Sequence, residues 1–217
     1  MKITYYTEVI SSWCYWAEPA WATLKAKYEG RVEFDWKLAL MDETGLPVSR
    51  EQLEWFYRRS GTIRQSPFIL NSGWYEPSIK EYLAPNLVPL AAKVMGIKGD
   101  IPRLAIAHAA LREGAQVWKW EVSAEIVSRA VDLHEKQLLE LARSPEIEKQ
   151  ARTTTAEFHA LQVSQRPVFV LESAIGDKAV FSGLATAEPL EATLQAMISD
   201  AAAYASYAAH FGAVPQQ

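Results

Sequence analysis

Hydrophobic and polar positions change period along the chain, and those changes mark its elements. Lys2 to Ile10 (KITYYTEVI) is dense in β-branched and aromatic residues and reads as a buried strand. Ser11 and Ser12 are good N-cap residues, and apolar residues recur at roughly helical spacing from Trp13 to Tyr28. The chain therefore runs strand, tight turn, helix. Val32 to Leu40 (VEFDWKLAL) alternates and predicts a second strand. The next strand signal comes at Val168, which leaves about 125 intervening residues helical or irregular. Within them Ser49 caps a helix through Arg58, followed by a Gly/Pro/Ser/Asn-bearing loop from Ser60 to Pro85. Helical periods recur at Asn86–Met95, Pro102–Arg112, Val122–Leu141 and Pro145–Leu161, the last with Ser144 as cap and Pro145 at the first helical position. Ala187–Ala209 reads as a long final helix, Ala-rich at its end. The expected organisation is an α/β domain built from residues 1–41 and 154–217, with an α-helical insertion at 42–153.

The first strand-to-helix junction carries the first chemistry. Free backbone N–H groups and the positive end of the helix dipole converge on the first turn, so an anion such as a thiolate is stabilised there. Pro19 sits inside that helix, where it removes a hydrogen bond and bends the axis, a cost that a plain core helix does not need.

Composition removes several classes. With 217 residues, 49% hydrophobic and 22% charged, the chain is able to bury a large core. A net charge of −4 and no basic cluster argue against nucleic acid as partner, and no apolar run approaches the roughly 18 residues of a membrane span. The first strand starts at Lys2 without signal-peptide features, and a single cysteine excludes an internal disulfide, so a reducing, cytoplasmic location is expected. His108, His134, His159 and His210 are scattered without metal-ligand spacing, so no metal is expected. The ten glycines form no phosphate-cradling loop.

Three motifs in order carry a resemblance. Glu8-Val9-Ile10-Ser11-Ser12-Trp13-Cys14-Tyr15, with Pro19 five residues after the cysteine, resembles the Cys-x-x-Cys region of thioredoxin-like proteins, and more closely the acidic-x-x-Cys-Pro-Trp-Cys-Tyr run of the DsbA/FrnE branch. It equally resembles the acidic-x-x-Ser-Pro-Tyr-Ser run of kappa-class glutathione transferases and 2-hydroxychromene-2-carboxylate isomerases. Gln165-Arg166-Pro167-Val168-Phe169-Val170-Leu171 resembles the strand that follows the family's cis proline, and Val180-Phe181-Ser182-Gly183-Leu184 its last strand and Ser-Gly turn. The resemblance covers residues 2 to 40 and 163 to 198. It implies a DsbA-like fold: α/β, a thioredoxin fold with an α-helical insertion between its two halves.

The resemblance also implies roles. Ser11 stands where the DsbA branch has its nucleophilic cysteine and where the kappa-like enzymes use a serine to hold the glutathione thiolate. Arg166 and Pro167 flank the backbone that pairs with the cysteinyl part of glutathione, and Trp13, Ser182 and Gly183 complete the expected binding edge. The kappa-like Ser-Asp pair that holds the γ-glutamyl group is matched here by Ser182-Gly183-Leu184, without the acid. Cys14, at the resolving position, reads either as a small buried hydrophobe or as a thiolate lowered by the helix dipole and Arg166. Asn71, in the longest loop, is a candidate polar binding group, against an ordinary Asn-Ser-Gly turn. Trp36, Trp55, Tyr57, Trp74 and Tyr75 lie near or within the insertion; if two of them line the cleft, an aromatic substrate follows.

Three functions follow. The first is a glutathione-dependent transferase or isomerase acting on a small aromatic electrophile. The second is a DsbA/FrnE-like oxidoreductase working monothiolically through Cys14; a complete dithiol cycle is impossible with one cysteine. The third is a redox-inactive binding protein. The Ala-rich tail from Ala201 to Phe211 packs either on its own domain or against a second chain, as a homodimer.

Overall fold

In the computed structural model, which describes residues 1–212, the chain runs β1 (Lys2–Thr7), α1 (Ser12–Lys27), β2 (Glu33–Leu38), α2 (Arg50–Ile63), α3 (Ala84–Val94), α4 (Ile101–Leu111), α5 (Trp120–Val131), α6 (Glu135–Ala142), α7 (Pro145–Ala160), β3 (Val168–Glu172), β4 (Lys178–Ser182) and α8 (Glu188–Phe211). The sheet order is β2-β1-β3-β4. β1 pairs in parallel with β2, and the β1–β3 and β3–β4 pairs are antiparallel.

Period-two patterning divides the sheet between two layers. Ile3, Tyr5, Phe169 and Leu171 enter the main core with Trp21 and Leu24 of α1 and Leu190 and Leu194 of α8. Tyr6, Val168 and Val170 face the other way, onto Phe158 of α7. Tyr5 stacks on Phe169 at 4.8 Å, which fastens the two central strands on the inner face. On the outer side α7 is tied to the end of β2. The Thr154 hydroxyl donates to the Leu38 carbonyl (2.8 Å) and Thr155 accepts the Leu40 N–H (3.0 Å). The expected division between residues 153 and 154 falls inside this helix.

Three caps sit where the sequence places them. Ser11, Ser49 and Ser144 each accept a backbone N–H from the first turn of α1, α2 and α7, and Pro145 opens α7. Several boundaries differ from expectation, among them α2, which runs to Ile63 into the loop expected from Ser60, and two of the differences have a visible cause. β1 ends at Thr7 rather than Ile10, because the Ser11 N–H closes a turn on the Glu8 carbonyl (3.0 Å). Val9 and Ile10 are buried in the core all the same, so their hydrophobicity signals burial rather than strand. The expected helix Val122–Leu141 is two helices. Asp132 adopts φ +53°, and its N–H and that of Leu133 both reach the Ser128 carbonyl, ending α5.

The insertion is joined to the sheet layers through polar groups as well as apolar ones. Arg103 of α4, 3% exposed, is ion-paired with Glu18 of α1 and with Asp100, and its guanidinium lies over the Tyr5 ring. Asp100 also accepts the Trp21 indole N–H (3.1 Å) and the Lys25 ammonium (2.8 Å). At the other end of the chain, α8 leaves the body beyond Ala201. Tyr204, Tyr207 and Phe211 are all more than 60% exposed.

Candidate functional site

The turn Glu8–Ser11 and the start of α1 build the site. Ser11 holds an extended backbone (φ −76°, ψ 128°) and its hydroxyl oxygen accepts the Cys14 N–H at 3.4 Å. With its oxygen committed to the helix, the hydroxyl keeps its own proton to donate outward. That proton and the free N–H groups of the first turn favour an anion at this point.

Ser11, Ser12 and Trp13 form one wall of a cavity of about 230 Å3. Met41 and Pro47 from the loop after β2, Phe56, Tyr57 and Arg59 from α2, and Trp74 form much of the remainder. Trp74 donates its indole N–H to the Tyr57 hydroxyl at 2.8 Å, so these two buried rings form a fixed unit. Of the five aromatic candidates, Tyr57 and Trp74 line the cavity, Trp36 and Tyr75 are core, and Trp55 lies on the surface.

Cys14 lies beneath this wall, 1% exposed. Its sulfur receives the Glu8 N–H at 3.5 Å. Burial pushes the thiol pKa up, outweighing the bonds from the Glu8 backbone and Ser11 that pull it down. A thiolate lowered by the dipole and Arg166, one of the two sequence readings, is not what the surroundings produce.

Glu8 is the chief ionisable group that sequence reasoning left without a role. The residue is 2% exposed. One oxygen accepts the Met41 N–H at 3.0 Å and the other the Asn86 side-chain amide, while Asn86 accepts the Val9 N–H at 3.1 Å. Burial raises the Glu8 pKa to about 7 in spite of these donors and of the Arg166 charge. Asn86, from α3, thus braces the turn that presents Ser11. No local signal marks it, because the pairing spans 78 residues. Arg59 was also missed; it brings a cation to the cavity edge and stacks on Phe56.

The Arg166–Pro167 peptide is cis. β3 starts opposite Tyr6, so Pro167 lies at the sheet end that carries the β1–α1 turn. The Arg166 side chain does other work. It donates to the carbonyls of Ala39 (2.5 Å) and Leu40 (2.7 Å) and stacks on Phe158 at 4.5 Å. Its backbone, in contrast, makes no hydrogen bond to protein among the described residues. Ser182 donates to the Gln165 carbonyl (3.0 Å) and the Gly183 N–H to the Pro167 carbonyl (2.8 Å), so this pair secures the proline loop to β4. Gly183 has φ +73° and Gln165 stands where a Cβ would go, at 2.7 Å.

Asn71 is not brought to the Ser11 cavity. Its side chain accepts the Gly73 N–H at 2.8 Å and packs on Gly114, which makes it the turn residue of the alternative reading. Among the described residues no group of three metal-ligating side chains occurs, and no helix is long and apolar enough to cross a membrane.

No protein-family model matches the chain, and no curated protein does. Solved structures match over most of its length. The cytosolic disulfide reductase DsbM of Pseudomonas aeruginosa is 17% identical with a TM-score of 0.74, covering 92% of this chain and 99% of that one, and it has also been solved with GSH. DsbA of the same organism is 15% identical at a TM-score of 0.60, over 94% of this chain and 85% of its own. A 2-hydroxychromene-2-carboxylate isomerase is 13% identical at 0.59, over 95% and 98%. The fold is therefore DsbA-like: a thioredoxin fold with a helical insertion, shared with a disulfide reductase, a DsbA and an isomerase.

Proposed function

We propose that this protein binds a low-molecular-weight thiol, glutathione in the first instance, with its sulfur at Ser11, and acts as a thiol-dependent transferase or isomerase on a small aromatic electrophile. One observation carries the reading: the Ser11 hydroxyl opens into a cavity at the N-terminus of α1, while the chain's one thiol is sealed beneath it. The bound thiol would supply a nucleophilic sulfur. Ser11 donates to that sulfur and, with the dipole of α1, keeps it ionised. The unpaired Arg166 backbone offers the peptide edge to the cysteinyl part. Trp13 and Phe56 offer ring faces to an aromatic substrate over the buried Tyr57–Trp74 pair, and Arg59 a cation to an acidic one. The γ-glutamyl end finds no acid at Ser182-Gly183-Leu184, and both Ser182 and Gly183 are already bonded to the proline loop. Affinity for the tripeptide is accordingly expected to rest on the sulfur and the Arg166 edge. A DsbM-like relative solved with GSH supports a thiol ligand, and a single free cysteine accords with a reducing, cytoplasmic setting.

The test is calorimetric titration with reduced glutathione of the wild type and of Ser11→Ala. Loss of one charge-assisted hydrogen bond weakens binding about tenfold or more. Equal affinity in the two proteins removes the role of Ser11, and absence of binding in both removes the thiol ligand.

A further inference from the structure

The largest cavity among those described is elsewhere. About 810 Å3 in volume, it lies between the outer face of α1, the chain after α2 and α4. It is a neighbour of the Ser11 cavity along the same pair of helices. α1 contributes Ser11 to Trp13 to the smaller space and Tyr15 to Ala22 to the larger, and α2 with its continuation contributes Leu53 to Arg59 and then Arg64 to Phe68. The hydrogen bond from the Trp16 indole to the Ser60 hydroxyl, 3.1 Å and buried, stands between them.

We propose that this larger cavity is a second ligand site, for a small apolar anion: a carboxylate or sulfonate carried on an aromatic or acyl body. The volume lies in the range of small-molecule sites, about 300–1,000 Å3. The walls are mostly apolar, with Tyr15, Trp16 and Phe68 offering ring faces and Leu104 and Ala105 the opposite side. Charge selects an anion. Glu18 reaches the cavity, but its carboxylate is taken up by Arg103 and the Tyr5 hydroxyl. Arg64, half-buried, has no carboxylate partner among the described residues, whereas His108, on the α4 side, lies 3.4 Å from the Glu113 carboxylate, so the anion preference rests on Arg64.

Two fluorescent probes with the same ring system separate the parts of this proposal: anilinonaphthalene sulfonate, an anion, and phenylnaphthylamine, its neutral counterpart. Wild type is expected to bind one of each per chain. Ala22→Trp and Ala105→Trp fill the cavity from opposite helices at positions that are not fully buried, so folding is checked by circular dichroism and either variant suffices. Each should abolish both signals. Arg64→Gln should weaken the sulfonate about threefold to fivefold, the worth of one exposed ion pair, and leave the neutral probe unchanged. Probe binding that survives both fillers overturns the site, and an equal loss of both probes in Arg64→Gln overturns the anion preference. A wild type that sediments as a dimer, with both fillers monomeric, would show that the cavity receives a second copy instead. Ser11→Ala leaves probe binding unchanged, so failure of the thiol reading and failure of this one are separable.

Discussion

Glu8 gives the sharpest quantitative test of the braced turn. Its pKa rises from an ordinary 4.5 to about 7 through burial. The folded chain therefore holds this proton where the unfolded chain has released it. The stabilisation is complete below the unfolded pKa near 4.5 and is lost as pH climbs through the folded value near 7, because over that window unfolding alone gains the ionisation. A shift of about 2.5 units is worth roughly 3 kcal/mol in all, of which roughly 2.5 kcal/mol falls between pH 5 and 8. The perturbation is Glu8→Gln. The amide cannot ionise, and it accepts only one of the two donors, Met41 N–H and the Asn86 amide, so it costs about 1–3 kcal/mol at pH 5. Urea unfolding of both proteins from pH 5 to 8, with the difference plotted against pH, isolates the residue from every other titration. The difference should favour the wild type at pH 5 and move towards the variant by roughly 2.5 kcal/mol, with its steepest part below pH 7. A flat difference curve refutes a neutral buried carboxyl and means that Asn86, Met41 and Arg166 hold Glu8 ionised throughout.

Two further outcomes follow from the geometry. In the native protein Cys14 should react with a thiol reagent at neutral pH about a hundredfold or more slower than in urea, since access requires local opening; rapid native reaction would restore the monothiol oxidoreductase reading. Gly114→Ala places a Cβ 2.5 Å from the Asn71 side-chain oxygen at a residue with φ +74°, and should cost about 1–3 kcal/mol by urea unfolding; an unchanged midpoint would mean that the Asn71 turn does not rest on Gly114.

Local signals were legible wherever one residue type has one favoured job. Serines at the caps of α1, α2 and α7, Pro145 at the start of α7 and the proline before β3 all announce backbone geometry within a few residues. The apolar period also located the elements, but it could not see Asp132, whose left-handed conformation divides α5 from α6 while Val131, Leu133 and Leu138 continue the packing. At the site, Ser11 and Trp13 are legible because they belong to the junction itself. Glu8, Asn86 and Arg59 acquire their roles only when α2 and α3 fold over that junction. Arg166 shows the limit most clearly. A cation before the proline reads as a ligand group, while in the fold its Nε and one Nη are held by the Ala39 and Leu40 carbonyls just past β2 and its plane lies on the ring of Phe158.

The ion cluster around Arg103 bears on how such a chain could have acquired its insertion. The contiguous stretch between β2 and α7 looks removable on paper, but deleting it would strip Glu18, Trp21 and Lys25 of α1 of their partners at once and leave a carboxylate stranded under the sheet. Loss of one member of a buried pair costs about 3–5 kcal/mol, a large part of what holds a domain this size together. The segment has therefore ceased to be a passenger: α1, the helix that presents Ser11, takes part of its electrostatic footing from residues that arrive some 80 positions later.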